Sequence, residues 1–331
     1  MLINLHSHLE GRVRPATAAD IARRHGVPEP DGGWTDAIQL TGPADLTVYL
    51  TKVAATYPLF GDLDDVARVT SEAVQDAAAD GLDFLELRFG PATHAGPGRS
   101  IDDVVAAACT GLRDGVARSG MAAGLVVAAL RHHDIELNEA VAHAAARHGG
   151  SGVVGFDLAG DELVFPDLAP HTTPFAIAAA AGLGLTCHAA EAAAGTAARD
   201  AVERFGVTRI GHGAHVADDP EVLAWMADSG TVIEVCPTSN WFTGAIASVD
   251  DHPAPVFNRA GVPLVLGDDN PMQTLSSLPA ERRILAERLG FSTADLERLD
   301  RTSIDAAFLD DSTRTSLSTR HAQLADGSWA D

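Results

Sequence analysis

Two histidines one residue apart, His6-Ser7-His8, end the short apolar run Leu2-Ile3-Asn4-Leu5. Side chains alternate along a strand, so His6 and His8 face the same way. Two neutral imidazoles on one face begin a zinc site, for which nitrogen, sulfur and carboxylate ligands are all suitable. Three further apolar runs end in ionisable residues. Residues 183–187 run into His188, with Glu191 three positions on; 208–211 run into His212; 262–267 run into Asp268-Asp269. His6, His8, His188 and Asp268 make a donor set for a hydrolytic zinc centre with one position left for water. Glu191 can exchange a proton with that water or with a substrate, or it is a solvated carboxylate at a helix start. His212, between Gly211 and Gly213, either hydrogen-bonds the water or is satisfied in the core. Asp269 has the type and place of a helix N-cap. The pair His132-His133 shares no spacing with these residues and reads as structural.

Bringing such residues together is a task for strand ends. Besides the four runs above, residues 82–89, 124–130, 152–158 and 231–235 read as strands. Between them, 64–80, 101–119, 138–148 and 173–181 are apolar at helical spacing, and 220–229 and 254–260 are shorter candidates. Alternation of this kind predicts a parallel sheet covered by helices. Eight repeats predict a closed (β/α)8 TIM barrel, whose active site lies at the C-terminal ends of the strands. The whole chain, 1–331, then forms one barrel domain. Residues 11–60 are too long for a single connection and are expected to form a helical lid over the C-terminal face. Residues 291–331 read as partly helical, with no evident chemistry.

Composition narrows the partners. The formal net charge is −23 over 331 residues, with Lys52 the single lysine. Nucleic acid and anionic membrane surfaces would be repelled, so a neutral or cationic small molecule is the expected partner. No run reaches the roughly 20 apolar residues of a membrane span. The first residues lack the basic and apolar regions of a signal peptide. Cys109, Cys187 and Cys236 form no CxxC pair and suit a reducing compartment. A cytoplasmic location is expected. Oligomeric state is not legible.

The motifs, taken in order, resemble the adenosine deaminase family of metal-dependent amidohydrolases. The resemblance is carried by His6-Ser7-His8-Leu9-Glu10-Gly11, Glu86-Leu87-Arg88-Phe89-Gly90-Pro91, Asp157-Leu158-Ala159-Gly160-Asp161-Glu162 and His188-Ala189-Ala190-Glu191. Arg209-Ile210-Gly211-His212-Gly213, Cys236-Pro237-Thr238-Ser239-Asn240 and Gly267-Asp268-Asp269 complete it. It implies a TIM barrel and one Zn²⁺ per chain on His6, His8, His188 and Asp268. It implies that Glu191 protonates the purine ring, and that His212 orients the attacking water and helps deprotonate it. Asp269 would hydrogen-bond the water or the imidazole side of the purine, and the Gly160 backbone would contact its other side. The implied reaction is hydrolytic removal of ammonia from an aminopurine, most directly adenosine or a related nucleoside. Glu10 stands where adenosine deaminases usually carry Asp, which bears on ribose recognition. Ala190 replaces the usual Gly, and Asn270 separates Asp269 from Pro271. Adenine and aminodeoxyfutalosine are the alternatives within the same chemistry; a catalytically silent, zinc-containing binding protein is the alternative outside it.

Overall fold

In the computed structural model, which describes residues 1–325, eight parallel strands pair in chain order. They are β1 (Ile3–His8), β2 (Phe84–Phe89), β3 (Ala122–Leu130), β4 (Val153–Ala159), β5 (Gly184–Ala189), β6 (Arg209–His212), β7 (Val232–Val235) and β8 (Leu264–Leu266). Each of the eight apolar runs is a strand. The chain just past β8 returns to β1: the His8 N–H donates to Asp269 O at 2.8 Å and the Asp269 N–H to His6 O at 2.9 Å. The barrel therefore closes through the residues that carry the chemistry.

Four helices lie between β1 and β2: α1 (Pro15–His25), α2 (Gly33–Ile38), α3 (Leu46–Ala54) and α4 (Leu63–Ala79). Thereafter come α5 (Ile101–Ser119), α6 (Ile135–Arg147), α7 (Thr172–Ala180), α8 (Thr196–Phe205), α9 (Pro220–Ser229), α10 (Pro237–Phe242) and α11 (Ala254–Ala260). After β8 follow α12 (Pro271–Thr274), α13 (Leu278–Glu287), α14 (Thr293–Ala306) and α15 (Asp311–Ala325). Helix α8 has no counterpart in the sequence reading. Its buried positions are only Ala198, Ala201 and Phe205, so small residues hide its apolar stripe. Among the described residues no helix is long and apolar enough to cross a membrane.

The barrel interior is layered. Ile3, Leu5, Phe84, Val232 and Val265 pack against Ile304, Ala307 and Leu317 from the C-terminal helices. Phe308 sits where a Cβ on Gly184 would meet its ring at 2.2 Å, so glycine at that position admits the plug. Above lies a charged layer of Glu86, Arg88, Asp157, Arg209 and Glu234, all fully buried. Charges tolerate such burial only when paired. Arg88 donates to Asp157 at 3.1 Å and to Glu234 at 2.8 Å, and Arg209 donates to Glu234 at 2.7 Å.

Strand β1 contains an irregularity that matters for the site. Asn4 pairs with Leu85 and Ser7 with Leu87, so Leu5 and His6 together stand opposite the single Glu86. A bulge of this kind re-aims the following side chains. It lets Ile3 and Leu5 pack in the lower barrel while His6 and His8 still face the interior above.

Candidate active site

Four side chains converge at the barrel mouth. One ligand atom from each of His6, His8, His188 and Asp269 lies within 4.8 Å of all the others. His8 Nε2 is 3.1 Å from His188 Nε2, and Asp269 Oδ1 is 3.3 Å from His8 Nε2 and 3.5 Å from His6 Nε2. The far ring nitrogens of two of the imidazoles are engaged. His6 Nδ1 lies 2.7 Å from Glu234 Oε2, and His188 Nδ1 lies 3.0 Å from Asp157 Oδ2. Each carboxylate holds the ring proton on Nδ1 and leaves Nε2 with a free lone pair, the pattern of metal-ligating histidines. His6 Nε2 is buried with no hydrogen-bond partner. An orphaned, inward-facing nitrogen amid two imidazoles and a carboxylate fits a zinc ion in donor type.

The carboxylate in this cluster is Asp269, where the sequence reading placed Asp268. Strand parity explains the difference. Inward-facing Glu234 pairs with Val265, so Val265, Gly267 and Asp269 follow the interior face. A Cβ on Gly267 would meet His6 Cβ at 2.4 Å. Asp269 then turns through a left-handed backbone conformation, φ 56°. Asp268 lies on the other face, where its Oδ2 accepts from Arg12 Nη2 at 2.6 Å. Asp269 is no helix N-cap; Asn270 precedes α12. Asp269 Oδ2 accepts from Tyr49 Oη at 2.9 Å and from Ser239 Oγ at 2.5 Å.

Beside the cluster lies a cavity of about 270 Å³, lined by Glu10, Tyr49, Gly160, Glu191, His212 and Asn270 among others. Its size suits a small organic molecule. Glu191 and His212 face each other, with 3.7 Å between Oε2 and Nε2. Burial pushes the Glu191 carboxyl well above the usual range, and the charges of Asp269 and Glu162 push it further. These surroundings favour the protonated form of Glu191. Burial pushes His212 well below its ordinary value, helped by the neighbouring His6, so it is neutral. Glu10 Oε1 accepts from His94 Nε2 at 2.9 Å and from the Gly90 N–H at 3.3 Å. Burial alone would raise the Glu10 carboxyl, but the His94 contact outweighs it and the group is lowered.

Gly160, at φ 111°, lines the cavity with backbone only. His132, read as structural, also lines it; no spacing rule tied it to the metal pair because it belongs to the far wall. Further residues carry the site without having been singled out. Glu234, Arg88 and Arg209 stood in plain view as charges inside apolar strand runs, and that oddity is the signal for a buried ionic layer. Glu162 accepts from the N–H groups of Ala190, Ala192 and Ala193 at 2.6–3.0 Å, and so fixes the loop that carries Glu191.

The sequence pattern of a family described as adenosine deaminase matches residues 2–323. The chain belongs to the adenosine deaminase family. It is 36% identical to an adenosine deaminase of Shewanella loihica over 326 residues, covering 96% of each chain. It is 35% identical to an adenine deaminase of Rhizobium leguminosarum bv. trifolii over 322 residues, covering 96% of this chain and 98% of the relative. A zinc-bound amidohydrolase from Burkholderia ambifaria has the same fold, with a TM-score of 0.88 at 26% identity, covering all of this chain and 93% of the other. Membership of the deaminase family makes this chain a hydrolase of carbon–nitrogen bonds.

Proposed function

We propose that this protein is a zinc-dependent deaminase of an unphosphorylated adenine compound, adenosine or a close nucleoside, releasing ammonia. The observation that carries the reading is Glu191: a buried carboxyl whose surroundings favour its protonated form, 3.7 Å from His212, at the wall of a cavity that adjoins the histidine–carboxylate cluster. His6, His8, His188 and Asp269 would hold the zinc. Zinc in such a site lowers the pKa of water towards about 7 and so provides the nucleophile at neutral pH.

The chain's own residues do the rest. Glu191 donates its proton to the ring nitrogen beside the amine-bearing carbon, which makes that carbon electrophilic. His212 orients the incoming oxygen. The Gly160 backbone and Asn270 border the base. Tyr49 and Ser239 occupy Asp269 Oδ2; Asn270 donates from Nδ2 to Asp269 Oδ1 at 2.8 Å and keeps its Oδ1 without a partner for a contact to the base. Glu10 reads the sugar or the base edge. Among the described residues no lysine or arginine lines the cavity, and Glu10 lies within it, so a 5′-phosphate would meet a carboxylate and no lysine or arginine counter-charge. A neutral substrate fits.

Free adenine is the second reading, supported by Glu10 itself, whose carboxylate can accept from a base N–H as readily as from a hydroxyl. A silent zinc protein has no use for a buried carboxyl facing a histidine at the cavity wall. Ammonia release and ultraviolet absorbance with adenosine, adenine, aminodeoxyfutalosine and AMP test the proposal, together with metal analysis. Turnover of adenosine, little or none with AMP, and one zinc per chain are expected. Absence of turnover with every aminopurine, in a zinc-loaded protein, would sink it.

A further inference from the structure

His252 lies outside the cavity wall and touches no part of the cluster, yet it is 3% exposed and fully hydrogen-bonded. We infer that His252 is a positioning residue: acting through Asn240, it fixes the ring proton of His212 on Nε2, the nitrogen that faces Glu191.

One group beside His252 has an unambiguous hydrogen-bonding role. The backbone N–H of Ala254 donates to His252 Nδ1 at 3.0 Å. A backbone amide can only donate, so His252 Nδ1 is an acceptor and carries no proton. Burial pushes His252 down to about 3, so the ring is neutral and its one proton is on Nε2. That N–H points at Asn240 Oδ1, 3.2 Å away. An amide oxygen and nitrogen are assigned from their hydrogen bonds, and here the bonds decide. Asn240, itself fully buried, must turn its oxygen to His252 and its NH2 to His212. Asn240 Nδ2 is 3.0 Å from His212 Nδ1. His212 Nδ1 is therefore an acceptor as well, and the proton of its neutral ring lies on Nε2.

The consequence for chemistry, which rests on the function proposed above, concerns the direction of one hydrogen bond. His212 meets the reacting oxygen with an N–H, not with a lone pair. It steadies negative charge as that charge develops on oxygen, the kind of fixed donor that stabilises a transition state. Accepting a proton at Nε2 would first require the whole relay to turn over. The expectation that His212 helps deprotonate water is replaced by one in which it orients the oxygen by donating to it.

Long-range proton–nitrogen correlation of the ring nitrogens, on zinc-loaded protein labelled with ¹⁵N-histidine, reads the tautomer directly. His212 signals are assigned by their loss in His212→Gln. A protonated Nε2 and a bare Nδ1 on His212 are expected at neutral pH. His252→Phe keeps the ring volume and removes the donor. It should let Asn240 turn, blur the single tautomer and lower kcat about tenfold, with KM and zinc content unchanged, as for loss of one hydrogen bond. His252→Gln, whose amide N–H can still donate to Asn240, should restore most of kcat. A proton on His212 Nδ1 in the unaltered chain overturns the inference whatever the His252 variants do, and a His212 tautomer indifferent to His252→Phe overturns it as well. The spectrum does not depend on turnover. A protein that deaminates nothing would defeat the function proposed above and leave this assignment standing.

Discussion

Glu191 owes its proton to its surroundings. A carboxyl whose ionisation burial opposes can give up a proton to a substrate, and an amide in its place is a far poorer donor. Glu191→Gln should keep its fold and its zinc and lose roughly 10²–10⁴-fold in kcat; activity within a few-fold of the unaltered enzyme would assign the proton to another group. The neighbouring aspartates separate by variant as they do by geometry. Asp269→Asn should strip the protein of zinc. Asp268→Asn should retain it and lose roughly 1–3 kcal/mol of stability as Arg12 gives up its charged partner. Metal analysis and urea denaturation of both variants distinguish the assignments. At Glu10, replacement by Ala removes a charged hydrogen-bond partner worth about 1.5–3 kcal/mol. A selective fall in kcat/KM for adenosine would mean that Glu10 reads the sugar; a parallel fall for adenine, that it reads the base. Equal activity with both would leave Glu10 as no more than the partner of His94. The histidines of this site were legible because each ends an apolar run. The choice between Asp268 and Asp269 was not, because it turns on which strand face points inward. Glu234, one strand earlier, held that information.

Elements place these side chains with unequal clarity in the sequence. All eight strands announce themselves as apolar runs, because strands of a parallel barrel are buried on both sides. The bulge at Leu5 and His6 does not, since it depends on register against Glu86 rather than on local composition. The same is true of the loop after β5. There Ala190 takes φ 54°, a conformation that costs a residue with a Cβ roughly 1–2 kcal/mol. Glu162 holds it in place through three backbone N–H groups. Ala190→Gly relieves that strain and gives back roughly 0.4–1 kcal/mol in the entropy of the unfolded chain. The net expectation is a gain of up to about 1.6 kcal/mol, read as a higher urea midpoint, with zinc content unchanged. A loss of stability would mean that the Ala190 methyl packs better than its backbone suffers. Helix α3 was expected only as part of a lid. Its Tyr49 reaches past the cavity to Asp269, a contact between the 11–60 segment and the cluster that no pattern in either segment predicts.

The molecule as a whole is built around buried polarity. Two buried histidines away from the cluster make its stability depend on acid. Burial pushes His171 down to about 4 and His252 to about 3, whereas in the unfolded chain both titrate near 6.5. Below that value the unfolded state binds protons that the folded state refuses, so stability falls as pH falls. Their contribution is present in full above about pH 6.5 and is lost progressively as the pH drops through about 4. Urea midpoints measured from pH 8 to 4 should decline below pH 6.5, less steeply in His171→Gln; a flat profile would contradict neutral burial. The charged layer beneath the cluster could be suspected from Glu86, Arg88, Asp157, Arg209 and Glu234 lying within apolar runs. Its closure by Phe308 depends on glycines at 155 and 184, whose purpose shows only once the ring is in place.

Closure of the barrel has a consequence for how the protein is made. His6 and His8 leave a ribosome some 260 residues before the carboxylate they meet. Strand β1 cannot complete its pairing, nor the cluster its fourth donor, until β8 has been synthesised and has swung round to it. A nascent chain that ends before β8 holds at most three of the four donors, His6, His8 and His188. A metal that binds only the finished arrangement would favour the folded state by mass action, and its capture would mark the moment at which β1 and β8 meet. Slow release of the metal and slow opening of the seam between β1 and β8 would be one and the same event.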